Sequence, residues 1–269
     1  MGFNNEREKM PLVSVIVPTY NVENYIDECM NSLLNQTYKN IEIVICDDHS
    51  TDKTVQALSK YKDSEHITVL TNDQNLRQAS TRNKCINACK GDYIAIQDAD
   101  DISSTDRIEK LIDAFEDGID FVGSGCFYFN ENEGKYKNYV PQKEYPQKRD
   151  LLEGIPFVHA SIMFKRDSLL KVNGYRDSKH TTRGEDYDLI LRLYAKGYKG
   201  KNIADLLYGY RVDEKTIARR TFSARVDECF VRYHGFKENK ILFPFGWIYV
   251  FKPIIAHFYQ KLVYRRYYK

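Results

Sequence analysis

Long apolar runs are absent from this chain of 269 residues. The longest uncharged stretch near its end, ILFPFGWIYVF, has about half of the roughly 20 residues that a spanning helix needs, and Pro244 and Gly246 interrupt it. The opening MGFNNEREKM is polar and charged and offers no apolar core for an export signal. A location in the cytosol is expected, or at most attachment to the inner face of the plasma membrane. The six cysteines (Cys29, Cys46, Cys85, Cys89, Cys126, Cys229) form no CxxC pair. Cys85 and Cys89, four apart on an expected helix, read as small core residues rather than zinc ligands, and free thiols are expected. Neither GxGxxG nor a GxxxxGK loop occurs, so a Rossmann dinucleotide site or a P-loop would lack its phosphate cradle. Excess charge of one sign is missing too. The net charge of +2 gives no reason to expect nucleic acid as a partner.

What remains is a chain with 42% hydrophobic and 29% charged residues, long enough to bury a sizeable core. Its first half alternates. LVSVIVPTYN predicts a strand stopped by Pro18, and residues 22–35 a helix with Tyr25, Ile26, Cys29, Leu33 and Leu34 as its apolar stripe. IEIVICDD predicts a second strand, and STDKTVQALSKY a helix capped by Ser50 or Thr51. HITVLTN, residues 78–89, GDYIAIQ, residues 105–117 and IDFVGSGCFYF continue the alternation of strand and helix. Val/Ile-rich strands separated by helices indicate an α/β doubly wound, mostly parallel sheet covered on both faces. After Phe129 the polar NENEGKYKNYVPQKEYPQK predicts a hairpin or long loop. HASIMFKR then predicts a strand, residues 167–172 a short helix and EDYDLILRLYAKG a strong one. From Asp213 onward a helical extension is expected.

The strand GDYIAIQDADD ends in Asp98, Asp100 and Asp101. Clustered carboxylates repel and are costly to desolvate, so a compensating cation is expected. A solvated turn capping the next helix through Ser103, Ser104 or Asp106 is the simpler alternative. Ligands of open α/β sheets bind beyond the carboxyl ends of the strands, where strand order reverses. PTYN, DDHS and DADD all follow strands and should converge there. A divalent ion on such aspartates, magnesium or manganese by its preference for hard oxygen ligands, would neutralise a bound diphosphate. A further acidic cluster, Glu185, Asp186 and Asp188 in RGEDYDL, begins a helix, where acids also serve the helix dipole.

Together VSVIVPTYN, DDHSTDKT, GDYIAIQDADD and GEDYDLILRL, in this order, resemble the family 2 glycosyltransferases over residues 11–210. These are inverting enzymes of the GT-A fold, common in the synthesis of bacterial surface glycans. The resemblance implies a nucleotide-sugar donor, UDP-linked by default, and a glycan, lipid-linked or protein-linked acceptor. It implies that Pro18, Thr19, Tyr20 and Asn21 surround the nucleotide and that Asp48 reads the base. Arg77 or Arg82 would approach the donor, Asp98 and Asp100 would contact it, and Asp100 and Asp101 would hold the metal. Asp186 corresponds to the catalytic base, with Glu185 beside it. Relatives often carry histidine where this chain has Asp213, after Tyr210 and Arg211, which leaves the usual role of that histidine unfilled. His159 and His180 flank the acceptor side.

The implied division is a catalytic domain over 11–212, with a nucleotide-binding half (11–129) and an acceptor-side half (130–212). An aromatic, basic helical extension follows over 213–269. A sugar-1-phosphate nucleotidyltransferase is the alternative, although it should carry a glycine-rich loop after the first strand. In the tail, Ile254, Ile255, Phe258, Leu262 and Tyr264 can form an apolar stripe beside Lys261, Arg265, Arg266 and Lys269. Such a stripe would suit an anionic membrane surface, the enzyme's own catalytic domain or a second subunit.

Overall fold

The structure, a computed structural model, describes residues 10–130, 134–212 and 221–267. Its first half follows the alternation read from the sequence. β1 (Val13–Thr19), α1 (Ile26–Leu34), β2 (Ile41–Asp47), α2 (Thr54–Leu58), β3 (Ile67–Thr71), α3 (Arg77–Ala88) and β4 (Tyr93–Ile96) come in order. Then follow β5 (Ile102–Ser103), α4 (Arg107–Asp113), β6 (Phe121–Asn130) and β7 (Gly134–Tyr139). The second half contains β8 (Met163–Lys165), α5 (Arg166–Lys171), α6 (Glu185–Ala195) and β9 (Gly200–Arg211). α7 (Phe222–Glu238), α8 (Gly246–Val250) and α9 (Lys252–Tyr267) close the chain.

One sheet runs β3-β2-β1-β4-β8-β6-β9-β5, with β7 paired to β6. β3, β2, β1 and β4 are parallel and nearly continuous in Val and Ile, because both of their faces are covered. β1, β2 and β4 bury Val15, Ile16, Ile43, Val44, Ala95 and Ile96. Strand order reverses between β1 and β4, so the loops after these two strands flank a crevice. Beyond β4 the sheet is mixed: β8 is antiparallel to both β4 and β6, whereas β9 is parallel to β6. The polar stretch after Phe129 returns antiparallel to β6, the hairpin option of the sequence reading.

One boundary and one strand differ from the sequence reading, each for an identifiable reason. α2 starts at Thr54 rather than behind Ser50 or Thr51, because those side chains are engaged in the loop. Ser50 Oγ donates to Asp47 Oδ1 at 2.6 Å, and Thr51 Oγ1 donates to Asn21 Oδ1 at 3.3 Å. Strand β9 has no counterpart in the sequence reading. Its register shifts between Ser124 and Cys126, and its exposed Ala204 and Asp205 break any alternation.

α7 is joined to the second half through its buried face. Val231 and Phe236 share a core with Tyr187, Leu191 and Phe164. Asn239 Nδ2 donates to Leu191 O at 2.8 Å, and Arg232 Nη1 to Leu152 O at 2.9 Å.

Candidate active site

The crevice between the β1 and β4 loops is a cleft of about 530 Å³, lined by Pro18, Thr19, Tyr20, Asp48, Arg77 and the Asp98–Asp101 turn, among others. From the other side Thr182 and Arg183 of the loop before α6, and Tyr210 and Arg211 of β9, close it. Residues far apart in the chain are thus brought to one edge of the sheet.

On the β1 side, the PTYN turn is held by the loop after β2. Asn21, at a left-handed φ of 52°, donates its N–H to Ser50 Oγ at 3.0 Å and accepts from Thr51 N. Its side chain serves this loop contact, and Asn21 is not among the residues lining the cleft. Tyr20 is half exposed at the mouth. Buried Asp48 shapes the floor. Its Oδ1 accepts from Asn72 Nδ2 at 2.8 Å and Leu76 N at 2.7 Å, and its Oδ2 from Arg77 N at 2.8 Å. These bonds fix the start of α3, where Arg77 takes a φ of 69° and sends an exposed side chain to the cleft.

The two arginines left open by the sequence are separated here. Arg77 lies on the cleft wall, whereas Arg82 is buried one turn further along α3. Arg82 Nη2 meets Asp98 Oδ1 at 2.9 Å and its Nη1 meets Glu185 Oε1 at 3.3 Å, with the guanidinium over the Tyr175 ring. One cation therefore ties the exit of β4 to the start of α6, reaching a carboxylate 103 residues further along the chain. Its Nε has no partner among the described residues.

The aspartates differ sharply in surroundings. Asp101 is buried: its Oδ2 accepts from Tyr208 Oη at 2.8 Å and its Oδ1 from Arg211 N at 2.7 Å. Burial, and then the charges of Asp100 and Asp98, push its carboxyl up to about 8. Asp98 is partly exposed and Asp100 exposed. Below them lies Arg107, fully buried, donating to Gln97 Oε1, Ser103 Oγ, Ile96 O and Ala160 O. Burial lowers it to about 10, yet it remains a cation at neutral pH. Arg82 and Arg107 are thus resident counter-charges, which the sequence reading looked for only in a metal. The sequence predicts only a helix over 105–117 here, and nothing in the spacing marks position 107. Arg211 Nε also donates to Asp100 O at 2.8 Å, and its Nη2 pairs with Glu28. Asp213, two residues on, lies outside the described residues.

At the start of α6, Glu185 is buried and Asp186 partly exposed. Burial, and then the charge of Asp186, raise Glu185 to about 7, against the lowering effect of Arg82. Asp188 is engaged structurally, pairing with Arg192 at 2.6 Å and Arg176 at 3.1 Å. His159 Nε2 lies 2.9 Å from Tyr175 Oη, and burial with nearby Arg82 lowers it to about 4. It is neutral at physiological pH. His180 pairs with Asp227 at 2.9 Å and stacks on Phe230 of α7.

Among the described residues, no three His, Cys, Asp or Glu side chains form a ready chelating set. The Asp98–Asp101 cluster does have the donor chemistry for a magnesium or manganese ion. It offers hard oxygen ligands under mutual repulsion at an open cleft, a site that a diphosphate can complete with its own oxygens.

A mostly parallel sheet with an acidic cleft at its switch point, closed by the loop that leads into an acidic helix start, is the GT-A arrangement of nucleotide-sugar transferases. The sequence profile of glycosyl transferase family 2 matches residues 14–172, and the chain belongs to that family. It is 35% identical over 263 residues to EpsE of Bacillus subtilis, named as a glycosyltransferase, covering 96% of this chain and 94% of that protein. It is 32% identical over 213 residues to WfaP of Escherichia coli, covering 79% and 82%. That protein is named as a UDP-Glc:alpha-D-GlcNAc-diphosphoundecaprenol beta-1,3-glucosyltransferase. Among solved structures, Staphylococcus aureus TarS 1–349 with UDP-GlcNAc superposes with a TM-score of 0.68 at 18% identity, covering 86% of this chain and 71% of that one. The mannosyltransferase PcManGT of Pyrobaculum calidifontis, with GDP-Man and Mn2+, gives 0.61 at 18% identity, covering 93% and 75%. The protein is a glycosyltransferase, which sets aside the nucleotidyltransferase alternative.

Proposed function

We propose that this glycosyltransferase is inverting and metal-dependent, moving a sugar from a UDP-sugar to a hydroxyl of a glycan, lipid-linked or protein-linked acceptor. The observation that supports this is the Arg82 bridge, which ties Asp98 at the cleft to Glu185 at the acidic start of α6. The UDP preference rests on relatives: WfaP is named for UDP-Glc, and TarS was solved with UDP-GlcNAc.

Tyr20 and the Asp48 floor would bind the nucleoside, and Arg77 the diphosphate. Asp100 and Asp101 would hold a manganese or magnesium ion, whose charge stabilises the departing diphosphate when bound. Asp186, the more open of the two α6 acids, would take the proton of the acceptor hydroxyl as it attacks the anomeric carbon. Glu185, held by Arg82, would set the position of that helix start. Inversion follows when base and leaving group lie on opposite faces of the sugar, with no covalent intermediate.

The test is release of UDP from a panel of UDP-sugars, with manganese and hydroxyl acceptors, and the anomeric configuration of the product by NMR. A β-linked product from an α-linked donor, and loss of activity in excess chelator, are expected. Retained configuration or full activity in chelator would refute inversion or metal dependence respectively.

A further inference from the structure

Large apolar side chains are exposed very unevenly. Of the twenty exposed large hydrophobics among the described residues, twelve lie between Phe222 and Tyr259. They follow helical spacing. Phe222, Val226, Phe230 and Tyr233 run along the outer face of α7, and Ile248, Phe251, Ile255 and Tyr259 along α8 and α9. Phe243 and Phe245 stand at the turn between them and Trp247 in the first turn of α8, and Phe222 meets Phe258 at 6.1 Å, which joins the two rows. Of the stripe expected from sequence, Ile255 and Phe258 are exposed here. Ile254 packs on the core, and the side chains of Leu262 and Tyr264 lie outside the described residues.

The sequence of α8, α9 and the turn before them carries charge of one sign. From Lys240 to the end the chain carries Lys240, Lys252, Lys261, Arg265, Arg266 and Lys269 and no acidic residue. Lys252 answers to Glu153. Self-association about a two-fold axis would set this stretch against its own like charges. On α7 the charges are mixed, with Asp227, Glu228 and Glu238 beside Arg225 and Lys237, but from Lys240 onward aromatics and cations come without acids and complement an anionic lipid surface, where aromatic rings settle at the headgroup level. No described helix is long and apolar enough to cross a membrane, so the contact would lie in the surface.

We infer that the outer face of α7, α8 and α9 is a docking surface for an anionic phospholipid bilayer. It is placed to serve the cleft. α7 packs on α6, His180 of the loop before α6 stacks on Phe230, and Val231 lies under Gly184. A docked enzyme would hold its acceptor side near the membrane, which rests on the transferase reading only for its purpose.

The test needs no turnover. Trp247 is the sole tryptophan and is half exposed within the surface, so its emission reports insertion. Vesicles of phosphatidylcholine with one quarter phosphatidylglycerol should shift Trp247 emission to the blue, shield it from acrylamide and carry the full chain upward in flotation. Pure phosphatidylcholine should bind at least about tenfold less, since each nearby cation contributes about fivefold. The double variant Phe251→Ser/Ile255→Ser, at two exposed positions, should keep its melting temperature and lose at least about tenfold in partitioning. No flotation with either lipid would overturn the inference. So would a mass that doubles with concentration in light scattering and returns to monomer in the double variant, which would assign the face to a second copy.

Discussion

Glu185 and Asp186 are neighbours with opposite surroundings, and the difference is chemical. Glu185 is buried against Arg82, whereas Asp186 is partly open at the helix start. Asp186→Asn should keep UDP binding and lower turnover by about a thousandfold or more, the scale of a lost general base. Glu185→Gln should cost less, and the opposite ranking would exchange the two roles. Titration offers a second check at the same residue. Glu185 rises from its ordinary 4.5 to about 7 in the folded chain. The native state therefore holds a proton that the unfolded state has lost, and stability falls as pH rises through that window. His159 acts in reverse: lowered from 6.5 to about 4, it costs stability as pH falls through its own window. Comparing wild type with Glu185→Gln cancels the His159 contribution. The stability difference should move in favour of the variant by on the order of 3 kcal/mol between pH 4.5 and 8, read from urea unfolding. A difference independent of pH would mean that Glu185 is not shifted.

Elements transmit these positions through close packing. α7 approaches α6 at Gly235, where an added Cβ would meet Leu191 Cδ1 at 2.4 Å and Leu191 Cβ at 2.9 Å. Gly235→Val should destabilise the fold by about 1–3 kcal/mol through overpacking. It should also lower turnover more than UDP binding, because α6 carries Glu185 and Asp186 whereas Asp48 and Arg77 do not depend on it. An unchanged urea midpoint would show that α7 shifts without cost. The element scale is also where sequence reading succeeded and failed for visible reasons. β1, β2 and β4 were legible because both their faces are buried, which demands unbroken Val and Ile. β9 was not, because Gly200, Asn202, Asp205 and Gly209 weaken its strand character and a register shift breaks its period. Only pairing with β6 and β5 makes it a strand, and through it Tyr208, Tyr210 and Arg211 reach the aspartates.

For the whole molecule, the proposed boundary at 213 can be tested by removal. Val231, Phe236 and Val250 share a core with Tyr187 and Leu191, so a chain ending at Val212 would expose that core. Such a truncation should be insoluble or lose its cooperative melt. Full recovery with the wild-type melting temperature would show the extension to be an independent appendage. By itself, the sequence determined the alternation of strands and helices, the gathering of PTYN, DDHS and DADD at one sheet edge, and the family. Those depend on local hydrophobic period and on strand order, which residues encode directly. Tertiary structure alone decided which arginine is buried and which lines the cleft, that Arg107 lies beneath the aspartates, and which tail residues face outward. Burial and charge pairing depend on neighbours 50 to 100 or so residues away, and no local pattern in the chain records those distances.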